Sequence, residues 1–134
     1  MQTKAIKQEI ILSCAPQIAY NAWLDAKTHG EIINGNAVID PKVGGAFSIW
    51  DDYLIGKTLE MDPDALTIVQ EWRDDSTNWP KDYYSKITLQ FLPFKDKQTK
   101  LIFTQSGILE QYAKDIEKGW KDYYWKPMKQ YFSK

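Results

Sequence analysis

The chain has 134 residues, the size of one domain (1–134) that can bury roughly two-thirds of its unfolded surface without staples. Its net charge is −1, and 16 of its 17 basic residues are Lys with a single Arg, which excludes the basic, bidentate footprint of a nucleic-acid binder. One cysteine excludes an internal disulfide and fits a reducing compartment. The charged start, residues 1–9, reads as neither signal peptide nor membrane span, so a soluble cytoplasmic protein is expected.

Residues 4–14 alternate, with Ile6, Ile10, Leu12 and Cys14 on one parity and Lys7, Glu9 and Ser13 on the other, as in a half-buried strand. Ala15-Pro16 ends it and opens a helix, since proline suits the first helical turn. Ile18, Tyr20, Ala22, Trp23 and Leu24 give that short helix an apolar side, and a second helix is expected from Lys27 to Ile33, broken by Asn34-Gly35-Asn36.

Strand and turn follow. Ala46–Trp50 is a strand, Asp51-Asp52 a hairpin turn and Tyr53–Met61 the next strand, turned by Asp62-Pro63-Asp64. Leu66, Ile68, Gln70 and Trp72 share a face. Residues 74–81 form a polar connection containing Trp79-Pro80. Ile87, Leu89 and Phe91 alternate with Lys86, Thr88 and Gln90, and Leu101, Phe103 and Gln105 with Lys100, Ile102 and Thr104. Gln105-Ser106-Gly107-Ile108 is read as a turn into a final helix from about Glu110 to Phe132. There Tyr112, Ile116, Trp120, Tyr123, Tyr124, Met128 and Tyr131 make a broad apolar face at three- and four-residue steps. Pro127 removes one backbone bond and predicts a kink near Tyr123–Pro127. Six strands, two early helices and one long late helix make an α+β chain with an antiparallel sheet.

Most candidate motifs have plain structural readings. Gly44-Gly45 leads into a strand, whereas a phosphate cradle leads into a helix N-terminus, so the pair reads as a bend. Cys14 has no base at hand and reads as a small buried hydrophobe. His29 has no second histidine or cysteine at metal-ligand spacing and is expected on a helix surface. Asp51-Asp52 and Asp74-Asp75 read as solvated turn residues rather than paired catalytic acids. Neither a metal nor a cofactor is expected.

Two sets carry the functional expectation. Arg73 points away from its inward neighbour Trp72; it anchors a partner carboxylate, or pairs within the chain, or stacks on Trp79. Gln70, Ser85 and Gln105 fall on inward strand faces, where unsatisfied polar groups are costly; they bond to aromatic tips or water, or they line a pocket. With Trp72, Tyr83, Tyr112, Ile116, Trp120, Tyr123 and Tyr124 they form the candidate ligand-binding set; Arg73 and Trp79 form the candidate partner-binding set.

The order strand, two short helices, meander, long helix, with Ala15-Pro16, Val43-Gly44-Gly45-Ala46-Phe47 and Gly56, resembles the START-like (SRPBCC, Bet v-like) superfamily. That resemblance implies a helix-grip fold, a curved six-stranded antiparallel sheet wrapped around the C-terminal helix. Trp72-Arg73, Trp79-Pro80, Tyr83, Gly107-Ile108 and Gly119-Trp120-Lys121-Asp122-Tyr123-Tyr124 resemble, across the whole chain, the C-terminal domain of the activator of the heat-shock protein 90 ATPase and its free-standing bacterial relatives. The activator's separate N-terminal domain has no counterpart in these residues. The aromatic final helix and the inward Gln70, Ser85 and Gln105 lead to the expectation of a non-enzymatic domain holding a hydrophobic or amphipathic small molecule between sheet and final helix. The alternative is a co-chaperone-like domain that binds heat-shock protein 90 and stimulates its ATPase. A cyclase or hydrolase would need an inward acid or base, which the pattern does not supply.

Overall fold

The computed structural model describes residues 2–76 and 78–133. The elements run β1 (Thr3–Leu12), α1 (Pro16–Leu24), α2 (Ala26–Ile33), β2 (Ala37–Ile39), β3 (Ala46–Ile49), β4 (Leu54–Asp62), β5 (Thr67–Asp74), β6 (Ser85–Phe94) and β7 (Gln98–Leu109). A continuous helical run follows: a 3-10 turn (Glu110–Tyr112), α3 (Ala113–Trp120), a π-helical turn (Lys121–Trp125) and α4 (Lys126–Phe132). The sheet has seven strands in the order β1-β7-β6-β5-β4-β3-β2, every neighbouring pair antiparallel. The strand beyond the expected six is β2. Its three residues, with Val38 68% exposed, are too few to display an alternation.

Strand periodicity builds the core. Ile6, Ile10 and Leu12, then Ile68 and Trp72, then Ile87, Leu89 and Phe91, then Leu101 and Phe103 all turn to one face and are buried. Against that face lie α1, α2, α3 and α4. Pro16 opens α1 without needing its missing N–H. Asp25 caps α2, accepting bonds from Thr28 N (3.0 Å) and Thr28 Oγ1 (2.7 Å), which hold its carboxyl below the usual range. Asn34 closes α2 in the left-handed conformation.

Two expectations about the last third change form. Gln105–Ile108 is not a turn: β7 runs through it to Leu109. Lys4 pairs with Ile108 and Ile6 with Gln105, so Ser106 and Gly107 oppose Ala5 alone. This is a β-bulge, and Gly107 takes the positive φ (77°) that it requires. The perturbation expected from Pro127 is a π turn. The Lys126 N–H reaches back to the Lys121 carbonyl, and Pro127, which has no N–H to donate to the preceding turn, follows at the start of α4.

Candidate functional site

Three inward glutamines organise the space between sheet and helices. An indole N–H can only donate, so each buried tryptophan needs an acceptor facing it. Trp23 Nε1 donates to Gln70 Oε1 (3.1 Å), and Gln70 Nε2 donates to Thr58 Oγ1 (3.2 Å). Trp120 Nε1 donates to Gln105 Oε1 (2.7 Å), Gln105 Nε2 to Ser85 Oγ (2.9 Å), and Ser85 Oγ to the Trp72 carbonyl (2.8 Å). Trp125 Nε1 donates to Gln8 Oε1 (2.6 Å), and Gln8 Nε2 to the Glu117 carbonyl (3.0 Å). Each of these glutamine bonds joins residues distant in sequence, and the indoles of Trp23, Trp120 and Trp125 are tied to the sheet, while the buried Trp79 indole N–H has no hydrogen-bond partner among the described residues.

The aromatic rings then fill the interior. Trp120 packs on Phe103 (4.4 Å between centroids), Tyr124 (4.8 Å), Trp125 (5.3 Å) and Trp72 (5.6 Å). Trp23 meets Tyr124 at 5.2 Å and His29 at 4.8 Å. The void left among Trp23, His29, Gln70, Trp72, Trp120 and Tyr124 is about 10 Å³, room for about one water. The centre of the grip is therefore closed. Gln70 is bound to the Trp23 indole, Gln105 to the Trp120 indole and to Ser85, and Tyr83 donates to the Gly107 carbonyl (2.7 Å).

Space opens at the end of the grip, where α3 and the π turn face β4, β5 and the β3–β4 connection. A cleft of about 240 Å³ lies there. Six of the ten expected ligand-binding residues line it: Trp72, Tyr112, Ile116, Trp120, Tyr123 and Tyr124. The β3–β4 connection adds Trp50 and Tyr53, β4 adds Leu54, β5 adds Asp74, and α3 adds Asp115 and Gly119. At its mouth the rings of Tyr53 and Tyr123 meet that of Trp50 near right angles (89° and 78°), and Tyr123 is 64% exposed. Trp50, Asp51 and Asp52 all have positive φ (54°, 55° and 70°). For a residue as bulky as Trp50 this conformation is sparsely populated, and such backbone clusters at ligand clamps. It places the Trp50 indole where any side chain at Gly35 would stand; a Cβ there would lie 2.3 Å from the ring.

His29 is buried, not on a helix surface. Nδ1 donates to the Trp23 carbonyl (2.8 Å), which fixes the tautomer, so Nε2 accepts from the Tyr124 hydroxyl (2.8 Å). Burial pushes the imidazole down to about 4 and drives the Tyr124 phenol upward. Cys14 is half-buried rather than fully buried, and burial pushes its thiol up to about 11.

Arg73 does point off the sheet, but a loop folds over it. It donates to the carbonyls of Pro80 (2.6 Å), Tyr83 (3.1 Å) and Trp79 (3.2 Å) and to Asp75 Oδ1 (2.8 Å). Trp79 is 5% exposed and packs on Trp72, Tyr83 and Tyr112. Both expected partner-binding residues thus serve to fix the 78–83 segment against the sheet; Thr77, in the same connection, lies outside the described residues. Asp74 accepts from Ser76 N and Oγ, as a turn carboxylate does. Among the described residues no group of three or more His, Cys, Asp or Glu could hold a metal, and no helix is long and apolar enough to cross a membrane.

The family model described as "Activator of Hsp90 ATPase homolog 1-like protein" matches residues 13–133. The chain is similar to the structure of an HSP90 activator from Plasmodium falciparum, 26% identical, with a TM-score of 0.81 over 90% of this chain and 89% of that one. A protein from Chromobacterium violaceum is 21% identical, with a TM-score of 0.79 over 97% of both chains. Norcoclaurine synthase from Thalictrum flavum, 13% identical, shares the fold at a TM-score of 0.61 over 87% of this chain and 76% of that one. The common architecture is the helix-grip, START-like fold. No curated protein matches the chain.

Proposed function

The chain belongs to the family of Activator of Hsp90 ATPase homolog 1-like proteins, and on that premise we propose that it is a non-enzymatic binding domain whose cleft holds a hydrophobic or amphipathic small molecule. The observation that carries this reading is Gly119. It lies inside α3, where glycine costs about 1 kcal/mol relative to alanine. Its φ is not positive, and a Cβ added there would meet nothing within 4 Å. Neither backbone nor packing requires a glycine, and the space it leaves is the cleft. The cleft is smaller than the about 300–1,000 Å³ of drug-sized sites, so its occupant is small.

Binding without turnover is supported by the state of the reactive groups. Both ring nitrogens of the single histidine are engaged, the Tyr124 hydroxyl is tied to it, and Asp74 is bonded to Ser76.

Native mass spectrometry of freshly purified protein, with solvent extraction, tests this reading beside Gly119→Phe. The phenylalanine ring enters the open cleft, so the variant is expected to melt within a few degrees of the wild type. The wild type is expected to carry a small molecule that the variant has lost. A ligand retained undiminished by Gly119→Phe would place its site elsewhere and remove the proposal.

A second reading is favoured by the likeness to the Plasmodium falciparum HSP90 activator: a domain that engages heat-shock protein 90 and stimulates its ATPase. Its contact surface would exclude Trp79, which is buried. ATPase assays and pull-downs with the host's heat-shock protein 90, with and without nucleotide, test it. Absence of both stimulation and capture would end that reading.

A further inference from the structure

We propose that the groove between the open edge of β1 and the C-terminal helical run docks an acidic, extended segment of a partner protein, taken up as an added strand. The inference does not rest on the cleft, which lies at the other end of the helical run's contacts with the sheet. Two observations carry it. The first is the edge. β1 ends the sheet and pairs with β7 alone. Among the described residues, no other group bonds to the backbone N–H and carbonyl groups that residues 4–12 turn away from β7. Such an edge is a template for a further strand. Beside it runs a groove of about 500 Å³, with the buried Gln8, Ile10 and Trp125 along it.

The second is the charge of the groove's helical wall. Lys121, Lys126 and Lys129 line it, and all three are exposed. The π turn sets Lys121 and Lys126 one turn apart, although they are five residues apart in sequence, and Lys129 follows three residues on. The acids that line the groove are already held. Glu9 pairs with Lys100 (3.3 Å) and Lys7 (3.8 Å), and Asp122 pairs with Lys118. Glu117, four residues before Lys121, makes no ion pair with it, and Asp122 makes none with Lys126. The three lysines therefore have no ion-pair partner among the described residues. A strand added to β1 would present every second side chain to this wall, where carboxylates are favoured. A second copy docked edge to edge would set the lysine row against its own image, which like-charge repulsion opposes.

The test is an amide NMR titration with a blocked octapeptide that alternates glutamate and threonine, beside its glutamine and lysine counterparts. Shifts are expected at residues 4–12 and 121–130, with slowed hydrogen exchange of the outward β1 amides. At low salt the glutamate peptide is expected to bind roughly tenfold more tightly than the glutamine peptide, with the lysine peptide weakest, and added salt narrows the gap. Lys126→Gln with Lys129→Gln changes two exposed side chains, so it is expected to keep the melting temperature and lose most of the glutamate preference. Equal binding of the glutamate and glutamine peptides would overturn the acidic partner. Shifts on the helix with none in β1 would overturn strand addition. The proposal also falls if no peptide shifts these residues or if octathymidylate binds there as tightly. It falls too if the protein alone forms a concentration-dependent dimer through β1.

Discussion

Trp120→Ala is expected to destabilise the protein by about 3–5 kcal/mol, the range for truncating a buried tryptophan. The side chain is 3% exposed and touches Phe103, Tyr124, Trp125 and Trp72 at centroid distances of 4.4–5.6 Å. Truncation opens a cavity that the sheet on one side and α1 on the other cannot close. It also leaves the Gln105 carbonyl oxygen without its indole donor. Against the about 5–15 kcal/mol total stability of a domain, this approaches unfolding. Denaturant melts measure it directly. The hydrogen-bond part separates by comparison: Gln105→Leu strands a buried indole N–H, at about 1–3 kcal/mol. Trp120→Phe with Gln105→Leu removes donor and acceptor together and is expected to be milder than its separate costs added. A loss below about 1 kcal/mol for Trp120→Ala would contradict the picture of a filled interior.

The second large effect is a loss of stability in mild acid. His29 is 4% exposed and its pKa is lowered from 6.5 to about 4. In the unfolded chain the imidazole takes its proton near 6.5, while in the fold it stays neutral. The unfolded state therefore binds more protons over this window. Stability is fully present above 6.5 and falls as pH drops toward 4, by about 3 kcal/mol in all at ~1.4 kcal/mol per unit. A protonated His29 would lose the bond it accepts from Tyr124 and place a charge among Trp23, Tyr124 and Trp120. There is one histidine in the chain, so its ring signals in NMR are unambiguous. They are expected to stay at their neutral positions down to pH 5, while urea midpoints decline from pH 7 to 5. A titration centred near 6.5 with flat stability would show an imidazole open to solvent.

The sheet was legible in the sequence because its signal is local. Period-two alternation put Gln70, Ser85 and Gln105 inward, and all three are buried. Their partners were not legible, since Trp23–Gln70, Trp120–Gln105 and Trp125–Gln8 are set by how the helices cross the sheet. Gln8 was missed, although it lies between Ile6 and Ile10 on the buried parity of β1. His29 carried a signal too: Ile32 and Ile33, three and four residues on, share its face of α2, which an isolated ligand-spacing test ignores. Arg73 was oriented correctly by parity, but the loop that covers it has no periodicity. Gly107 was read as punctuation when it supplies a bulge within β7. The ligand site shifted for a related reason. Counting aromatics identifies a core, and here the same rings fill the centre and line the edge. Gly119, a glycine inside a helix that nothing nearby requires, was the residue that marked where the space would be.

The measurement that tests the central claim most directly is a fragment screen by amide NMR on the wild type and Gly119→Phe in parallel. The cleft account predicts hits whose shifts cluster at residues 50–54 and 112–124 and disappear in the variant, with the rest of its spectrum preserved. Hits that map to other surfaces, or that persist unchanged when the phenylalanine fills the cleft, would contradict it.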